Sequence, residues 1–164
     1  MIGALPITMA VRKRLLEKWD AAAARTTDTA RGYGAPIDVR IRRPEVVRLS
    51  LTEDEQHWPV VYVIPGSARS DEQTGTRVSR EQEVVVILED DRDSTEHLTA
   101  ALLLGEATII DALTGPAQPE PPIYGLIWKA TEPGPLFQRV RDSTAWHSYL
   151  EISFQATIVE EESR

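Results

Sequence analysis

The stretch that most restricts what this chain can become is its last long segment. Trp146, Ser148, Leu150, Ile152, Phe154, Ala156 and Ile158 fall on one side of an extended backbone. His147, Tyr149, Glu151, Ser153 and Gln155 fall on the other. Side chains alternate faces along a strand, so a slip of one residue would turn the whole apolar set to water. A strand of this kind belongs to a sheet with one face covered and the other solvated.

Other strands can be read around it. Ile37, Val39 and Ile41 alternate with Asp38, Arg40 and Arg42, and Pro44 ends that ladder. Val46 to Leu51 offers a further short strand. Val60 to Ile64 is a β-branched run bounded by prolines, and Val84 to Leu88 is a second such run. Between them, residues 66–80 (GSARSDEQTGTRVSR) are polar and carry almost no apolar anchor. A loop of about 15 residues in a compact domain is usually functional or mobile. The expectation is a long antiparallel hairpin, with strands at 60–64 and 82–89 and a flexible tip. Ile123 to Ala130 is another candidate strand, and Thr131 to Pro135 reads as a turn.

Two segments have helical spacing. After Pro6, the residues Ile7, Val11, Leu15 and Trp19 recur every fourth position, and Ala22 and Ala23 extend the stripe. Arg12, Lys13, Glu17 and Asp20 fall largely off it. The spacing predicts an amphipathic helix of roughly 18 residues, fading in Thr26 to Asp28. The second helix follows Asp93, with Glu96 three residues on as a capping-box pair. Leu98, Ala101, Leu102, Gly105, Ile109, Ala112 and Leu113 form one face, and Gly115-Pro116 ends it. Leu103, Leu104 and Ile110 widen the stripe, so this helix is either deeply buried or packed on another subunit. The element order gives an α+β fold: two helices on a mostly antiparallel sheet with a long flexible hairpin, residues 1–164 forming one domain. Residues 160–164 read as a frayed acidic tail.

Composition narrows the function classes. The 164 residues carry 26 acids and 18 bases, a formal charge of −8, with no cysteine. Disulfides, thiolate zinc sites and thiol nucleophiles are excluded. The acidic balance argues against general binding to nucleic acid or an anionic membrane. No run approaches the length of a membrane helix. Arg12, Lys13 and Arg14 follow the first apolar stretch, the reverse of a secretory signal. The protein is expected to stay where it is made. Only Lys13, Lys18 and Lys129 are lysines, which fits either codon bias in a GC-rich genome or a surface built on guanidinium forks.

Catalytic patterns are missing. His57, His97 and His147 lie in separate elements without metal-ligand spacing, and each reads as a surface or structural histidine. Gly66-Ser67 is not followed by the glycine and helix of a nucleophile elbow. Gly32-Tyr33-Gly34 lacks the rest of a dinucleotide fingerprint. Glu89-Asp90-Asp91-Arg92-Asp93 lacks the glycine and distal glutamate of a calcium loop, and a charge cluster at a helix N-terminus accounts for it. Arg40, Arg42, Arg43 and Arg48 are the one basic concentration among the strands. They form either a solvated face or a surface for an acidic partner, such as Asp90, Asp91 and Asp93 of a neighbouring copy. No enzyme, cofactor or metal is indicated.

The layout as a whole resembles tailed-bacteriophage tail terminator, or tail completion, proteins of the neck. ITMAVRKRLLEKW, WPVVYVIPG, EVVVILED, ATIIDALTG and WHSYLEISFQATIVEE carry the likeness, in that order and over most of the chain. The resemblance implies a structural virion protein: a ring, commonly a hexamer, that caps the head-proximal end of the tail tube. Its implied partners are its own copies, the major tail tube protein and the head-tail connector protein, with DNA passing through the bore unbound and no membrane. Its place would be the virion neck, after assembly in the bacterial cytoplasm. Ser67, Arg69, Asp71, Glu72 and Arg77 in the hairpin are then candidates to touch the tube. Relative to the smallest members, the extra length lies in 66–80, 114–122 and 131–135. The alternatives are another neck, head-completion or minor tail protein and, from a different class, a small acidic inhibitor or immunity protein. Mimicry of nucleic acid by the latter favours a contiguous acidic face, whereas in the sequence the acids look dispersed.

Overall fold

The structure is a computed structural model and describes residues 3–34, 43–44, 47–48, 59–74, 77–115, 123–134, 138–139 and 145–161. The predicted stripe of the first helix, α1 (Ala4–Gly32), is where the sequence places it. Ile7, Val11, Leu15, Trp19 and Ala22 are all buried. The helix does not fade at Thr26. It runs to Gly32 because Thr26 is itself buried and Arg25 clasps Asp111 with two 2.9 Å hydrogen bonds.

Asp111 lies on the second helix, α2 (Thr95–Thr114), which ends just before Gly115 as expected. Its start differs by one residue. Ser94, not Asp93, is the N-cap, and its hydroxyl accepts the His97 N–H at 3.1 Å. The Asp93 carboxylate instead accepts from the His97 ring at 3.1 Å. The predicted inner face (Leu98, Ala101, Leu102, Gly105, Ile109, Ala112 and Leu113) is buried throughout.

Four long strands carry the sheet: β2 (Val60–Thr74), β3 (Arg77–Arg92), β4 (Ile123–Pro133) and β6 (Trp146–Glu161). Two residues each form β1 (Val47–Arg48) and β5 (Gln138–Arg139). The order is β1-β2-β3-β6-β4, antiparallel except for the parallel β1–β2 pair, with β5 also on β6. The short strand expected within 46–51 is therefore present as β1. The strand expected at 37–41 and the connector after Gly115 fall outside the described residues.

Both helices pack on one face of this sheet, where Val61, Val63, Val84, Val86, Leu88, Leu150, Ile152, Phe154, Ala156 and Ile158 meet them. Each large apolar side chain buried here contributes about 1.5–3 kcal/mol. The alternation predicted for the last strand holds along its length: every second residue from Ser148 to Ile158 is buried. Gly105 lets α2 sit close to β3, for a Cβ built there would lie 2.5 Å from Leu88 Cδ2.

The polar segment 66–80 is not a loop. β2 and β3 stay paired from Ala68↔Gln82 to Thr74↔Arg77, through register shifts at Pro65/Ala68 and Asp71/Gln73. Among the described residues neither strand adds to the apolar core beyond Val63 and Val84, and Ala156 and Ile158 of β6 reach only the ribbon's root, opposite Gln82 and Arg80, so the described core does not hold its outer part. Backbone pairing does, because β6 continues beside β3 as far as Arg77↔Glu161 and supplies a third strand. Beyond Ile158, the last core residue beside it, the ribbon continues to Thr74↔Arg77, about 10 Å at the usual strand rise. At its root the buried Gln82 amide donates to Gly66 O at 3.1 Å and Glu83 O at 2.8 Å, satisfying a carbonyl that the register shift frees from the ladder. Likewise residues 131–133 are strand rather than turn, paired to Ile152, Glu151 and Leu150; Glu160 and Glu161 of the expected frayed tail belong to β6, and residues 162–164 lie outside the described residues.

Candidate assembly surfaces

The face of the sheet away from the helices gathers what the linear sequence scatters. Odd positions of β3 and β6 point there, so Glu81, Glu83, Glu89 and Asp91 share a surface with His147, Glu151, Ser153 and Gln155. Glu132 of β4 stands directly opposite Glu151 and adds another carboxylate. Six acids that look dispersed along the chain therefore meet on one side of the fold, with His147, Arg69 and Lys129 as the nearby cationic or ionisable groups. A small apolar patch of Val60, Tyr62 and Ile87, with Ile64, Val85 and Tyr149 against it, divides this surface.

One half of the face is an open groove of about 520 Å³, lined by Ser67, Ala68, Arg69, Glu81, Glu83, Lys129, Ser153 and Gln155. The Gln155 amide donates to Glu81 across the β3–β6 pair. Ser67 and Arg69 are exposed here, as suits residues expected to touch a partner. Asp71, Glu72 and Arg77 lie further out on the ribbon, with Asp71 opposite Ser79 and Arg77 opposite Thr74. Four of the five candidate contact residues thus sit on β2 and Arg77 on β3, the two strands paired to one another.

At the other end, His147 Nδ1 donates to Asp91 at 2.5 Å, and its Nε2 is 3.9 Å from Glu89. Burial pushes the Glu89 carboxyl above its ordinary value; the nearby imidazole opposes this, and the Asp91 charge adds to it. Among the described residues no group of three or more His, Asp and Glu is arranged to hold a metal ion.

The proposed pairing of an arginine cluster with Asp90, Asp91 and Asp93 looks different in three dimensions. Asp90 is buried and accepts from its neighbour Arg92 Nε at 3.0 Å and from the Asp91 N–H at 2.9 Å. Asp91 serves His147. Only Asp93 is exposed, and the His97 hydrogen bond lowers its pKa. Arg43 binds helix α1 of its own chain, donating to Asp20 at 3.0 Å and to Leu16 O at 3.1 Å. Arg48 pairs through its backbone with Tyr62. Arg40 and Arg42 lie outside the described residues.

Two features escaped the sequence reading. Lys129 reaches the groove because β4 carries a register shift between Trp128 and Ala130, which no local pattern announces. The exposed edge of β4 also bears Tyr124, Ile127 and Trp128, each about half exposed. The run of large residues in Ile123 to Trp128 announces a strand but not that its outer face is left exposed.

No protein-family model matches this chain, and no curated protein matches it. Among solved structures, the chain is similar to one from the "Virion of native gene transfer agent (GTA) particle", at 17% identity and a TM-score of 0.44, over 71% of this chain and 80% of that one.

Proposed function

We propose that this chain is a structural virion protein that closes the head-proximal end of a phage tail tube as a ring, halts tube growth and joins the tail to the head connector. The proposal starts from the sequence resemblance. The observation that carries it furthest is the division of the fold into a helix-covered face and an open, acid-rich face. Glu81, Glu83, Glu89, Asp91, Glu132 and Glu151 on the open face repel phosphates, which suits the wall of a bore that lets DNA slide without sticking. The three-stranded ribbon suits the same role. It is held by backbone pairing among β2, β3 and β6, and Ser67 and Arg69 on it are exposed to a tube or a neighbouring subunit.

The direct test is to mix the purified protein with polymerising tail tube protein and measure tube lengths by negative-stain microscopy. Capping gives short tubes bearing one distinct end. Unlimited growth with no decorated ends contradicts the proposal.

The same acidic face favours a second reading, an inhibitor that imitates nucleic acid. Arg69 and Lys129 interrupt the carboxylates and count against it. A monomer that displaces DNA from a DNA-binding protein would support this reading over the ring.

A further inference from the structure

Helix α2 is apolar on two sides. Besides its buried face, Ala100, Leu103, Ala107 and Ile110 follow a three-four-three spacing along the side turned from the sheet, with Leu103 54% exposed and Ile110 partly buried against the core. That is the spacing of a helix-packing seam. Beside it runs a groove of about 370 Å³ lined by Arg25, Thr26, Thr29, Ala30, Leu104, Ala107 and Asp111. α2 itself contributes Glu96, Glu106 and Asp111 and no lysine or arginine, and of these Asp111 is held by Arg25 of the same chain.

The complementary surface lies on the other helix. Leu5 and Met9 of α1 are 61% and 51% exposed, and Arg12 and Leu16 continue their line at the matching four-three-four spacing. This half of α1 carries Arg12, Lys13, Arg14 and Lys18 against the single acid Glu17. Lys13 approaches Glu17 only to 3.8 Å, with both side chains largely exposed. Such a surface pair is worth little and is readily exchanged for a new partner.

Within one molecule these two surfaces do not meet. The antiparallel α1–α2 pairing sets Arg14 against Leu113 O (3.5 Å) and the Ala30 end of α1 beside Leu104 and Ala107. The Leu5–Met9 end is carried past the last turn of α2. We infer that the seam and groove of α2 are occupied by the N-terminal half of α1 from a second copy of this chain, Leu5 and Met9 against Leu103 and Ala107, with Arg12 and Lys13 facing Glu96 and Glu106. Two different patches on each copy make a heterologous contact, which repeats around a closed ring. The inference rests on the ring reading above and gives that ring its subunit interface.

Mass measurement by light scattering on the full-length protein tests it through two variants at exposed positions, Leu103→Glu and Met9→Glu. Each damages a different half of the interface and should weaken self-association about a hundredfold by placing a charge in an apolar contact. Mixed in equal amounts, the two retain one intact pair of surfaces and should form a dimer that neither forms alone. Circular dichroism of each variant confirms the fold. If the wild type forms a ring and both variants form it equally well, the interface is elsewhere and the ring stands. A wild type that stays monomeric at all concentrations and on tail tubes overturns both. Two monomeric variants whose mixture gives no dimer overturn this pairing of surfaces.

Discussion

Asp91 and His147 stand directly opposite one another on β3 and β6, with imidazole Nδ1 2.5 Å from carboxylate Oδ1. The pair ties the start of the closing strand to the end of β3. It also sets the charge environment of Glu89, one step along the same face. Burial is the largest cause of the raised Glu89 pKa.

That shift has a definite sign. A carboxyl whose folded pKa exceeds its unfolded value holds its proton more tightly in the native state. The stability it contributes is full below the ordinary value of 4.5 and is lost as pH rises through the raised folded value. Above that window the ionised Glu89 is a standing cost. Glu89→Gln should therefore raise the melting temperature at pH 7 and give no gain near pH 4. Paired thermal melts at the two pH values check this; a variant less stable than wild type at pH 7 would show that the His147 attraction outweighs burial.

Gly105→Ala should destabilise the fold even though alanine favours a helix by about 1 kcal/mol over glycine. The new methyl would lie 2.5 Å from the tip of Leu88, a side chain only 2% exposed. Overpacking of this kind costs about 1–3 kcal/mol, so the net loss is about 1 kcal/mol. Denaturant melts of Gly105→Ala with and without Leu88→Val should reveal a favourable coupling between the two positions.

Ser94→Ala should cost about 1 kcal/mol by removing the helix cap, and Asp93→Ala distinctly less. Equal losses would return the cap to Asp93. The comparison also shows how far sequence reading reaches. Asp93 and Glu96 fit a capping box, but Ser94 is equally able to cap, and only the backbone's turn into the helix decides which residue holds the position.

The elements easiest to read were those stabilised by their own side chains. Trp146–Ile158 and Ile7–Ala22 show their inner faces through period alone, and both are buried apart from Trp146, which is partly so. The ribbon beyond Val63 and Val84 was hidden for the opposite reason. Its strands are joined through backbone pairing with β6, more than 70 residues later in the chain, and polar side chains carry no mark of that contact. The acidic face was hidden in the same way: Glu83 and Glu151 share a surface only once β3 lies antiparallel to β6. Of the expected interface acids, Asp90 and Asp91 are adjacent in sequence, yet a strand sends them to opposite faces and to different partners.

Replacing residues 69–81 with Asn-Gly joins Ala68 to Gln82 by a two-residue hairpin turn and removes the ribbon. Among the described residues the deletion removes no member of the apolar core, so thermal stability should fall by only a few degrees, at about 4 °C for each 1 kcal/mol in a domain of this size. Tube capping should be abolished. A shortened chain that no longer folds would assign the ribbon a structural role, and one that still caps tubes would remove it from the contact surface.

The central claim is assembly into a ring that caps tail tubes, and its most direct measurement is light scattering coupled to size exclusion on the purified protein, alone and with tail tubes. The account predicts a closed oligomer of defined mass, or a monomer that becomes one on tube ends. A protein that remains monomeric in both settings and leaves tube ends bare would contradict it.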